Sequence, residues 1–167
     1  MQRKDFITGF GLTTSALIIA PNTILGADDK PKAYQKDVVQ QFVGAGHSNL
    51  ERVKELLNDF PNLIYCSHDW GNGDFETAIG AGGHVGYKEM VNFLIEKGCR
   101  PTIHSLTMLG KTDLVKPILE AYPNLVQSLG PHGFTLLHHA KQGGEDALDL
   151  LAYLDIKGLK KTKIDIK

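Results

Sequence analysis

Four segments of this chain share one pattern, a Gly or Ser opening an amphipathic helix, and that recurrence limits the fold more than any other feature. They run from Ser48 to Leu57, Gly86 to Ile95, Gly110 to Leu119 and Gly144 to Tyr153. In the first, Leu50, Val53, Leu56 and Leu57 stand three and four residues apart and make one apolar stripe; Met90, Val91, Leu94 and Ile95 make another. A two-helix unit of this size cannot cover its own stripe, so neighbouring units must cover each other. Gly86 and Gly110 sit where a left-handed or side-chain-free turn is useful, and Gly98 reads as a helix stop. Pro117 is discordant, because a proline inside a helix removes a hydrogen bond; its helix is expected to begin near Leu114 or to be kinked.

The openings at 48, 86, 110 and 144 are 38, 24 and 34 residues apart, scattered about the roughly 33-residue period of ankyrin repeats. Upstream of the last helix, Gly133, Phe134, Thr135, Leu136, Leu137, His138, His139 and Ala140 resemble the ankyrin motif Gly-x-Thr-Pro-Leu-His-x-Ala, with Leu136 replacing the proline. Thr77 to Gly82 fill the same slots one unit earlier, with Gly80 replacing the histidine. His104 takes the histidine slot of the third unit, where the projecting turn between Gly98 and Thr102 is almost deleted. The first unit has the helix pair alone, over 36–44 and 50–59. The expected fold is therefore all-α, an ankyrin-repeat solenoid of about four degenerate helix-turn-helix repeats over residues 36–158.

Residues 1–27 read differently. A cationic start, an uncharged run from Phe6 to Ala20 and the small-residue boundary Leu25-Gly26-Ala27 are the pattern of a secretory signal peptide. The apolar run is too short and too polar for a membrane span. Arg3-Lys4-Asp5-Phe6-Ile7 resembles a twin-arginine export signal in which Lys4 replaces the second arginine. A linker over 28–35 precedes the repeats, and 159–167 reads as a basic, solvated tail.

With 18 Lys and Arg against 19 Asp and Glu, the chain lacks the basic excess that a phosphate backbone attracts, so nucleic acid is not an expected partner. No nucleophile elbow or phosphate-binding loop occurs; Gly80-Ala81-Gly82-Gly83 lies inside a helix and reads as close packing. Of the seven histidines, His104 and His138 read as ties between turns, and His47 as a solvated turn residue. Zinc motifs such as His-x-x-x-His or Cys-x-x-Cys are absent, so no metal ligand and no cofactor is assigned; a metal site would have to be assembled across repeats. Cys66 and Cys99 are compatible with a pair or with two free thiols.

The most unusual stretch is His68 to Thr77, which holds the only tryptophan, two turn glycines and the carboxylates of Asp69, Asp74 and Glu76. Either it projects as a binding loop, or Trp70 and Phe75 fold back as a cap while Asp74 or Glu76 caps the helix that starts at Thr77. Asp69-Trp70-Gly71, Gly73 to Ala78, His84-Val85-Gly86 and Gly130 to Leu137, with the leader, resemble exported bacterial ankyrin-repeat proteins. That resemblance implies a monomeric, non-catalytic module in the bacterial periplasm or envelope that binds an unidentified protein partner. Trp70, Asp74, Glu76, His84 and His132 are the expected partner-binding residues. The competing class is a metal-binding protein or enzyme that uses the loop carboxylates and histidines.

Overall fold

The computed structural model describes residues 31–166; the expected leader lies outside the described residues. The described chain is mainly α-helical, with one two-stranded sheet. Its helices are α1 (Lys36–Ala45), α2 (Leu50–Asp59), α3 (Ala78–His84), α4 (Lys88–Glu96), α5 (Ile103–Met108), α6 (Thr112–Ala121), α7 (Leu136–Gly143) and α8 (Leu148–Ile156). Successive helices pair, α1 with α2 through α7 with α8, and the first members form a row in which α1 meets α3, α3 meets α5 and α5 meets α7. Among the described residues, no helix is long and apolar enough to cross a membrane.

Threonines begin three of the four helices in this row. The hydroxyls of Thr77, Thr102 and Thr135 accept hydrogen bonds from the backbone N–H of Gly80, Ser105 and His138, satisfying donors that a helix start leaves unpaired. Thr77 therefore caps α3 itself, and neither Asp74 nor Glu76 is needed for that role. The apolar stripes are buried as their periodicity requires: Leu50, Val53 and Leu56 lie in one core with Met90, Val91 and Leu94. A second core gathers Val115, Leu119, Leu136, Leu150 and Leu154.

Three regions differ in detail from expectation. The stretch after Cys66 is a hairpin, with β1 (Ser67–Asp69) antiparallel to β2 (Phe75–Thr77) and His68 opposite Glu76. Its tip turns through Gly71, Asn72 and Gly73, all with positive φ. Helix α6 begins at Thr112, two residues before Leu114, with Pro117 inside it. The carboxy-terminal segment is exposed from Lys160 to Ile166 apart from the half-buried Thr162, but it is not free. Leu159 is buried, the Thr135 N–H donates to the Thr162 carbonyl (3.0 Å), and the Ile164 N–H donates to the Gly133 carbonyl (2.9 Å). These bonds lay the segment as an edge along residues 133–135. Cys66 and Cys99 are both free thiols.

Candidate metal centre

Three segments converge beside the amino-terminal end of α3. The first is the turn after α1, which carries His47. A Cβ at Gly46 would fall 2.6 Å from the Ala78 carbonyl oxygen, so only glycine lets this turn approach the start of α3 so closely. The second segment is β2 with α3. Strand alternation exposes Phe75 and turns Glu76 inward, where it is 0% exposed. His84 ends α3, and the tilt of helical side chains toward the amino terminus favours its return over Glu76. The third is the turn Pro131–Gly133, which presents His132. It packs against α3 where Gly80 lacks a side chain; a Cβ there would lie 3.2 Å from Pro131 Cγ.

The ring nitrogens and the carboxylate meet closely. His84 Nε2 is 3.0 Å from Glu76 Oε1 and 3.1 Å from His47 Nε2. His132 Nε2 is 3.5 Å from Glu76 Oε1, and His47 Nε2 is 3.6 Å from Glu76 Oε2. One donor atom from each of His47, Glu76, His84 and His132 falls within 4.8 Å of all the others. Four donors bound at about 2.0–2.1 Å around one tetrahedral ion would be separated by about 3.3 Å; the 3.0, 3.1 and 3.5 Å separations among His47, His84, His132 and Glu76 Oε1 lie around that value. Glu76 Oε1 is the most telling atom. It is buried and close to two imidazoles, yet it accepts no well-directed hydrogen bond. A buried carboxylate oxygen without a donor is costly, and a cation among these four groups would satisfy it.

Neighbouring groups orient the ligands. His47 Nδ1 lies 3.0 Å from the Gly44 carbonyl oxygen, which can only accept, so Nδ1 carries the proton and Nε2 presents its lone pair. His132 Nδ1 donates to Asp74 Oδ2 (2.7 Å), which likewise leaves its Nε2 free toward Glu76. Asp74 also accepts from the backbone N–H of His132 through Oδ1 (2.8 Å). This second bond holds His132 at φ +58°, a left-handed conformation uncommon outside glycine. Burial works to raise the Asp74 carboxyl, but the two hydrogen bonds from His132 and the nearby Lys163 ammonium outweigh it and hold the group below its ordinary value. Trp70 Nε1 donates to Glu76 Oε2 (2.8 Å), fixing the carboxylate from its other side. His84 stacks on Phe134, and its backbone carbonyl accepts from His138 Nε2 (2.8 Å).

The five residues expected to face a partner thus gather at one site, though not as a projecting surface. Glu76, His84 and His132 point at one another, while Asp74 and Trp70 hold them from behind. The spacing assigned no metal ligand, yet His47, Glu76, His84 and His132 form a group that could hold one, its members coming from three separate segments rather than one short motif. His47, read as a solvated turn residue, joins the cluster because Gly46 brings its turn against Ala78. His104 and His138 do tie turns, through the carbonyls of Ser128 and His84. Burial lowers the basicity of both. Access for an ion lies at the partly exposed edges of His47 (28%) and His132 (26%), since His84 and Glu76 are closed off. No family model and no curated protein matches this chain.

Proposed function

We propose that this protein binds one divalent first-row transition metal through the Nε2 atoms of His47, His84 and His132 and the carboxylate of Glu76. The carrying observation is the buried, unpartnered Glu76 Oε1 beside imidazole nitrogens whose tautomers at His47 and His132 are set by Gly44 and Asp74. Three imidazoles and one carboxylate suit zinc, nickel, cobalt, iron or copper(II). They suit calcium and magnesium poorly, since those ions take oxygen ligands. Metal-depleted protein titrated with Zn(II) by calorimetry should take up one equivalent, and Glu76→Gln and His84→Ala should each abolish the tight phase. Absence of stoichiometric uptake by the unaltered chain would refute the assignment.

The four helix pairs are read as ankyrin-type repeats, on the strength of the recurring threonine caps and helix pairing, and the leader as an export signal. A protein-binding role is a second reading, favoured by Phe75 (61% exposed) and Trp70 (39% exposed) at the hairpin. Under it, Phe75→Ala would abolish capture of a partner from the native envelope without changing metal content.

A further inference from the structure

If the centre binds metal as proposed above, its geometry also bears on what the metal does. The two apolar cores are separate: one gathers residues from Phe42 to Leu109, the other from Val115 to Leu159. Between them, α3 and α5 meet α7 across a seam that α5 serves from both sides, with Met108 in the first core and Ile103 and Leu106 packed against the second. Gly143 lies against the Met108 carbonyl, Gly86 against the Gln142 carbonyl, and the His104 ring against the His139 ring at 4.9 Å. His139 Nε2 is buried in this region without a hydrogen-bond partner.

The metal ligands lie on both sides of that division. His47, Glu76 and His84 belong to the segment of the first core, whereas His132 precedes α7 of the second. A single ion bound by all four would close a loop of 85 residues, from 47 to 132, and long closures remove the most freedom from the unfolded chain. The centre offers one donor atom from each of four side chains, so a four-coordinate ion that takes all four has no vertex left for substrate. Lone-pair directions set by Gly44 and Asp74 add the orientation that a closed site needs.

We infer that the ion is a structural staple of the zinc type, closed to exogenous ligands, which ties the two separately cored halves into one cooperative unit. A d10 ion meets this geometry without electronic preference, and its removal leaves the α5–α7 seam and the Asp74–His132 and His138–His84 hydrogen bonds to join the halves.

Full-length protein loaded with Co(II) reports the geometry, and hydrogen exchange reports the coupling. Co(II) should give the intense visible absorption of a four-coordinate ion, unchanged by added azide. Zn(II) should slow amide exchange in α7 and α8 as well as in α1 to α3 and merge a two-step denaturant transition into one. His132→Ala should bind Zn(II) more weakly and lose the protection of α7 and α8 while that of α1 to α3 persists. Weak six-coordinate absorption, a spectrum shifted by azide, or protection confined to the first half in the unaltered chain would each overturn the staple while leaving metal binding intact. If the chain takes up neither Co(II) nor Zn(II), the metal assignment itself fails, and the staple with it.

Discussion

Asp74 grips His132 twice, accepting from its backbone N–H at 2.8 Å and from its ring Nδ1 at 2.7 Å, across 58 residues of sequence. One carboxylate thus fixes both the unusual backbone angle of His132 and the direction of its Nε2 lone pair. Asp74→Asn keeps one acceptor but cannot serve as a two-oxygen anion. Zn(II) affinity is expected to fall about 10- to 100-fold, the usual cost of losing such a supporting carboxylate. Competition with a chromophoric chelator measures it, and an unchanged affinity would show that His132 needs no such support.

Trp70 offers a test of a different kind, because its indole N–H is a hydrogen-bond donor to a carboxylate that is 0% exposed. Trp70→Phe preserves most of the ring and deletes the donor. In metal-free protein this leaves a second oxygen of Glu76 unpaired and should reduce stability by about 1–3 kcal/mol in urea denaturation. A residue serving only a partner surface would give no change.

The helices and their stripes were legible in sequence because their signals are local. Leu50, Val53 and Leu56 announce their face by spacing alone, and Thr77 and Thr135 announce helix starts by standing before an apolar run. The hairpin was obscured because β2 is three residues long, too short for alternation to register, although Gly71, Asn72 and Gly73 mark its turn. Most of the candidate metal centre was legible as a list of unusual residues but not as a constellation. Nothing in the spacing of His47, Glu76, His84 and His132 distinguishes them from His68 or His104. What joins them is the close approach that Gly46 and Gly80 allow, and a glycine's use for contact is invisible until its neighbour is known.

Two glycines separate conformational cost from steric cost. Gly98 and Gly110 both have positive φ, at +91° and +67°, but a Cβ at Gly98 meets nothing within 4 Å whereas one at Gly110 would fall 1.8 Å from the Asp146 carbonyl oxygen. Gly98→Ala should cost about 1–2 kcal/mol from backbone strain alone. Gly110→Ala adds a backbone clash between the α5–α6 turn and the start of the last helix pair, and should lower the thermal midpoint several degrees further. Equal losses in the two variants would mean that the turn moves away freely.

Acid stability should depend on His139, whose ring is fully buried. Burial is the largest influence and pushes its pKa down to about 3, against a partial opposing effect of its hydrogen bond to the Thr135 carbonyl. In the unfolded chain the same imidazole titrates near its ordinary value of about 6.5. Between these values the unfolded state binds a proton that the native state refuses, so stability is fully present above pH 6.5 and declines as pH falls toward 3. At pH 4.5 the loss from this one group is about 2–3 kcal/mol. His139→Leu retains an apolar side chain and abolishes the proton. Measured on metal-free protein, so that acid release of a metal does not contribute, the urea midpoint of the variant should fall less steeply between pH 7 and 4.5 than that of the unaltered chain. Other titrating groups are common to both proteins and cancel in the difference. Parallel pH profiles would show that the ring gains a proton in the native state as readily as in the unfolded one, and hence that water reaches the seam beside α7.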